Sequence, residues 1–204
     1  MNKIITISVC AMALVCIAGC GKKSVPVETL KNLQDAYNGE SNAKARYEAF
    51  AVKADEEGYL QVASLFRAAA QAEGIHLRNH AAVITGLGAE PVADIKAPEV
   101  KTTKENLEAA LKGENYERIT MYPDFIKQAE IEKAPKAIRT FKYAMLAETE
   151  HAKYYQEALD NLDAWKDGKK DFLVCSVCGF TTVDTGLQKC PVCSTPRSKI
   201  NMFN

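Results

Sequence analysis

The sequence predicts a mainly α-helical protein, a four-helix bundle with a long crossover, followed by a small four-cysteine metal knuckle. Three observations predict it. Residues 27–168 are dominated by long stretches rich in Ala, Glu, Lys and Leu, which is helix-forming usage. A connection carrying Pro91 and Pro98 divides those stretches into two pairs. The four cysteines beyond residue 20 lie after residue 174, in two Cys-x-x-Cys pairs. The 204 residues, 47% hydrophobic and 25% charged, exclude a disordered tail protein. The 26 basic and 26 acidic residues balance, which leaves no basic footprint for nucleic acid.

The first segment reads as an address. Met1-Asn2-Lys3 is a short positive start, and Ile4 to Ala18 is uncharged and mostly apolar. That run is short of the ~20 apolar residues a spanning helix needs and fits the h-region of an export signal. A buried apolar first element is the competing reading. Ile17-Ala18-Gly19-Cys20 resembles a bacterial lipobox. The resemblance implies a signal peptide over 1–19, lipidation at Cys20 and a polar tether over 20–26. The chain is then an exported lipoprotein anchored to a cell-envelope membrane.

The bundle follows over 27–168. The first helix spans Val27 to Glu57, with Gly58 as its stop, and the second Tyr59 to Thr85, ended by Gly86-Leu87-Gly88. Ala89 to Lys101 holds both prolines and is the crossover. It exceeds the roughly 2–8 residues usual between bundle helices. The third helix spans Thr102 to Glu132, with Thr102 or Thr103 as N-cap and a kink at Pro123. The fourth starts near Pro135 and runs to about Asp167, ended by Gly168.

The two pairs echo one another. Gly39-Glu40 in the first helix matches Gly113-Glu114 in the third. Glu73-Gly74-Ile75-His76 in the second matches Glu148-Thr149-Glu150-His151 in the fourth. Glu40 to Glu73 is 33 residues and Glu114 to Glu148 is 34, which permits four glutamates at one level of the bundle. A lone Glu-x-x-His is usually a surface pair on one helical face. An inward glutamate, however, is costly unless paired or metal-bound. One Glu from each of two helices with Glu-x-x-His from the other two is the ligand set of ferritin-like di-iron bundles. Gly39, Gly74 and Gly113 adjoin these positions, and close helix approach at the metal level would account for them.

Gly39-Glu40-Ser41-Asn42-Ala43-Lys44-Ala45-Arg46-Tyr47 and Gly113-Glu114 through Tyr122-Pro123 resemble rubrerythrin. The resemblance covers nearly all of the chain after the signal. Glu117 supplies a fifth carboxylate that rubrerythrins have and ordinary ferritins lack. The resemblance implies two irons bridged by Glu73 and Glu148. Glu40 is then terminal on one, and Glu114 and His151 on the other. Glu117 and His76 are the pair that exchange on one iron with redox state. Tyr47 and Tyr122 match the family's tyrosines behind the ligands. His80, one turn past His76, reads as a supporting or packing residue.

Residues 171–204 form the knuckle. Cys175-x-x-Cys178-Gly179 and Cys190-Pro191-x-Cys193, eleven residues apart, suit a tetrahedral thiolate site. So small a segment needs a metal or disulfides to fold. Iron and zinc both accept four thiolates, and export permits disulfides. The Cys-x-x-Cys-Gly and Cys-Pro-x-Cys forms resemble rubredoxin, which implies iron. Phe172, Phe180 and Phe203 read as the apolar packing of this small domain.

The resemblance implies a peroxidase in oxidative stress defence. Hydrogen peroxide is the substrate, and an external electron donor feeds the thiolate iron. It also implies a homodimer in which the knuckle of one chain approaches the di-iron site of the other. Iron handling at the envelope as a ferroxidase, or a structural zinc bundle, are the alternative readings.

Overall fold

The computed structural model describes residues 25–204; the segment expected to be an export signal and Cys20 lie outside the described residues. Helices α1 (Val27–Glu56) and α2 (Leu60–Gly86) form an antiparallel hairpin closed at Gly58, whose φ of 79° a side chain would resist. Helix α3 (Thr103–Tyr116) leads through a π-helical turn (Glu117–Met121) into α4 (Tyr122–Ile131). Helix α5 (Pro135–Asp160) packs along both α3 and α4. The second hairpin meets the first through α2 against α5 and α1 against α4, which makes the four-helix bundle. Among the described residues no helix is long and apolar enough to cross a membrane.

Local chemistry sets the ends. The Thr102 side chain accepts from Glu105 N–H and Glu105 reaches back to Thr102 N–H, a capping box that starts α3. Pro123 lacks the N–H an α-helix would use there. Instead of a simple kink, the backbone widens to a π-turn in which Tyr122 N–H reaches Glu117 C=O. The last long helix stops at Asp160, short of the predicted Asp167. A 3-10 turn (Leu162–Trp165) follows, and burial of Trp165 against Phe172, with ring centroids 6.5 Å apart, outweighs helix continuation.

The crossover lies along α1 by a match of pitch. Gln34, Asn38 and Asn42 are one helical turn apart. Gln34 accepts from Val92 N–H at 3.1 Å, Asn38 from Asp94 at 2.8 Å and Asn42 from Lys96 at 2.9 Å. Four helical residues rise about 6 Å and two extended residues about 6.6 Å, so each amide finds every second residue of the crossover.

Two apolar layers fill the bundle. One holds Tyr47, Phe50, Phe66, Leu107 and Tyr155; the other holds Leu33, Ile84, Tyr122, Phe125 and Phe141. On α1 and α5 the proposed ligand positions fall between the stretches that enter the two layers. The polar level is thereby sealed above and below.

After Trp165 the chain turns back. Strand β1 (Phe172–Cys175) pairs antiparallel with β2 (Thr181–Thr182) and β3 (Ile200–Phe203), in the order β2-β1-β3. Phe172 and Val174 are buried in the first bundle layer, and Phe203 packs on it. These two phenylalanines thus dock the knuckle on the bundle, and only Phe180 belongs to the small domain's own core.

Candidate metal centre

The fold brings six of the seven predicted bundle ligands into two overlapping sets. Glu40, Glu73, His76 and Glu148 form one; Glu73, Glu114, Glu148 and His151 form the other. Within each set the donor atoms lie within 4.8 Å of one another. Glu73 and Glu148 belong to both, so each carboxylate faces both positions. All six residues are buried. Glu117, in the π-turn, is half-buried and outside both sets.

The two histidines face the cluster through one ring nitrogen each. His76 Nδ1 is 2.8 Å from Glu73 and 3.0 Å from Glu148. His151 Nδ1 is 2.7 Å from Glu148 and 3.5 Å from Glu73. The opposite nitrogens meet the knuckle, His76 Nε2 at 3.2 Å from Cys178 C=O and His151 Nε2 at 3.0 Å from Thr181 Oγ1. The Cys178 carbonyl can only accept, so His76 carries its hydrogen on Nε2 when neutral and offers a free Nδ1 lone pair inward.

The tyrosines cross-brace the level. Tyr47 on α1 donates to Glu114 of α3 at 2.7 Å, and Tyr122 on α4 donates to Glu40 of α1. His80 is buried beside Tyr122, 3.9 Å from Glu40 and outside both sets.

The electrostatics of the cluster are those of crowded carboxylates and imidazoles. Burial and then Glu73 push the Glu40 carboxyl well up. Burial and then Glu148 raise Glu114 to about 8. Glu117 is raised by desolvation and then by Glu114. Burial also acts to raise Glu148, but His76 and His151 outweigh it and hold that carboxyl at about 2. Burial opposes charge on His76 and His151, yet Glu148 beside each drives both well up. Buried Glu40 Oε2 and Glu114 Oε2 have no hydrogen-bond partner, and Glu148 meets only the two histidines. Orphaned acceptors turned toward one centre are what cations satisfy. Four carboxylates balance two divalent ions, so the residues fit a dinuclear metal centre.

Cys175, Cys178 and Cys190 are buried and Cys193 is half-buried, and all four are free thiols. Their sulfurs converge, with Cys175–Cys193 at 3.6 Å and Cys178–Cys190 at 3.5 Å. A disulfide is about 2.05 Å, whereas sulfurs about 2.3 Å from a tetrahedral ion stand about 3.8 Å apart. The geometry is that of a tetrathiolate metal site.

A family model described as Rubrerythrin matches residues 31–159. The chain belongs to the rubrerythrin family. Relatives include nigerythrin of Nitratidesulfovibrio vulgaris, 38% identical over 89% of this chain and 89% of that protein. Rubrerythrin-2 of Clostridium acetobutylicum is 36% identical over 84% of this chain and 94% of that protein. The solved structure of nigerythrin in its fully reduced, all-ferrous state superposes with a TM-score of 0.79, 36% identity, and 93% and 91% coverage. Bacterioferritin of Desulfovibrio desulfuricans, at 21% identity and a TM-score of 0.64 over 68% of this chain and 82% of that one, shares the fold alone. The bundle cluster is accordingly a rubrerythrin-type di-iron site, and the four cysteines are consistent with a rubredoxin-like iron site.

Within the chain the turn at Trp165 brings β1 back onto α2 and sets the knuckle against its own cluster. One expectation changes. The helical glycines do not mark close helix approach. A Cβ at Gly39 or Gly113 would meet nothing within 4 Å, and one at Gly74 only the Lys44 and Arg78 side chains, at 3.6 and 3.7 Å. Nothing in the chain explains them. The glycine that does mark close approach is Gly179. Its φ is 80°, and a Cβ there would lie 2.2 Å from His76 Nε2. Its place after Cys178 was the available signal.

Proposed function

We propose that the chain is a peroxidase of rubrerythrin type, serving oxidative stress defence by reducing hydrogen peroxide to two waters. The observation that carries the reading is that one residue, His76, belongs to the carboxylate cluster and hydrogen-bonds the thiolate knuckle. Bound here, two irons supply together the two electrons that cleaving the O–O bond takes, and an iron among the thiolates resupplies them singly.

The chain's own residues divide the remaining work. Glu40, Glu73, His76 and Glu148 would hold one ion, and Glu73, Glu114, Glu148 and His151 the other. Tyr47 and Tyr122 fix the two terminal carboxylates by donating to one oxygen of each. The aromatic layers around Phe66, Tyr155 and Phe141 keep bulk water from the level. Glu117 lies outside both sets, and by the family resemblance it would be the carboxylate that exchanges with His76. The Cys178 sulfur, its own carbonyl and His76 connect the two sites.

The test is peroxide turnover by the anaerobically reduced full chain and by Glu148→Ala. Removing a supporting partner costs about 10–100-fold. Loss of a residue shared by both ions is expected to cost more than about a hundredfold. Turnover intact in a folded Glu148→Ala protein would end the proposal.

The protein acts, on this reading, as a homodimer anchored to an envelope membrane through lipidated Cys20. Cys20→Ala is expected to release it from the membrane fraction, and sedimentation to give twice the chain mass. An unaltered membrane fraction for Cys20→Ala would remove the anchor.

A further inference from the structure

The polar network does not end at the cluster. Behind Glu40, inside the second apolar layer, lie three linked side chains. Tyr122 donates to Glu40 Oε1. The Tyr122 hydroxyl is 3.3 Å from His80 Nε2, and His80 Nδ1 is 3.1 Å from Thr140 Oγ1. His80 is 0% exposed, with the Phe141 ring centroid at 5.5 Å and the Tyr122 ring at 6.1 Å.

For a neutral His80 ring the donor inventory gives one consistent set of directions. Tyr122 has one hydroxyl hydrogen and gives it to Glu40. Its oxygen therefore accepts, and His80 Nε2 must carry the hydrogen. A neutral imidazole carries only one, so Nδ1 accepts and Thr140 donates. The three donors point the same way, Thr140 to His80 to Tyr122 to Glu40. Aligned bonds in a buried chain polarise one another, and this one ends on a carboxylate. A leucine and a valine would fill the same space with no polar group to satisfy.

We propose that His80 is a positioning residue for the metal centre: backed by Thr140, it orients Tyr122 and through it sets the rotamer and donor strength of Glu40. This rests on the reading of Glu40 as a metal ligand. The metal-free full chain is titrated with Co2+, following the carboxylate site apart from the thiolate site, whose charge-transfer band is separate. His80→Leu is expected to weaken the carboxylate site about tenfold, the low end for a partner behind a ligand. His80→Gln, which can still donate to Tyr122, is expected to recover most of it. In a Tyr122→Phe background, His80→Leu is expected to change nothing further, since non-additivity is the mark of action through a shared partner. Thr140→Val, which keeps the volume and removes only the first donor, is expected to weaken the site in the same sense by less, and stands in if His80→Leu does not fold. Wild-type affinity in both His80→Leu and Thr140→Val, or an equal loss with and without Tyr122, would overturn the proposal. A wild-type cluster that takes no Co2+ would instead overturn the metal reading beneath it.

Discussion

Tyr47 stands seven residues after Glu40, whereas Tyr122 stands eight after Glu114. Each nonetheless reaches the other hairpin's carboxylate. The extra residue is absorbed by the π-turn, and the same turn carries Glu117. One inserted residue thus accounts for the broken symmetry, and the fifth carboxylate lies in the turn that absorbs it. Gly179 is the other residue on which the site turns. Gly179→Ala would place a methyl within 2.2 Å of His76 Nε2 in a left-handed backbone. It is expected to cost about 1–2 kcal/mol from the backbone alone, read by thermal melting. It should also slow reduction of the cluster by a knuckle whose visible spectrum is unchanged. Normal transfer in Gly179→Ala would show that the close approach is not needed. At this scale the six positions that cluster were legible, because matching Glu and Glu-x-x-His positions recur at 33 and 34 residues. The His80 line was not, since His80, Tyr122 and Thr140 come from three different helices and only packing aligns them.

At the scale of elements, acidic side chains hold the helix starts. Glu132 accepts from Glu28 N–H at 3.2 Å and Thr29 N–H at 2.7 Å, and Glu57 accepts from Thr103 N–H at 2.8 Å. The hydrogen bond to Thr29 lowers the Glu132 carboxyl, and that to Thr103 lowers Glu57. A carboxyl lowered by folding stabilises above its unfolded pKa, and that contribution is lost as pH falls through the lowered value. Glu132→Ala is expected to cost about 1 kcal/mol near pH 7, as for a lost cap. The gap to wild type should close under acid, below the unfolded carboxyl pKa of about 4.3. A gap constant from pH 7 to 3 would contradict this. The crossover makes a second test. Asn38→Ala removes the acceptor of Asp94 N–H, so that amide should exchange faster and stability fall by about 1 kcal/mol. The helices themselves were legible from composition and stop residues. The amide ladder along the crossover was not, for it has no apolar pattern. The early end of α5 was not either, because burial of Trp165 outweighed local helix preference.

At the scale of the molecule, the bundle supplies a dry level between two apolar layers and the knuckle closes its side. The contact is between parts of one chain: Asn79 donates to Val177 C=O at 2.9 Å beside the His76–Cys178 bond. With the thiolate site metal-loaded, an Asn79→Cys, Val177→Cys chain treated with a short bis-maleimide should cross-link within itself and migrate as a monomer. A covalent dimer would show that the knuckles exchange between chains. The thiolate metal also holds the knuckle fold, so chelation should unfold residues 171–204 while the helices persist by circular dichroism. The central claim is a di-iron level served by a thiolate iron, and metal analysis with a visible spectrum tests it most directly. The soluble chain beginning after Cys20, purified without added metal, should carry about three irons and a red colour that reductant bleaches and peroxide restores. One zinc per chain and no colour would contradict the account.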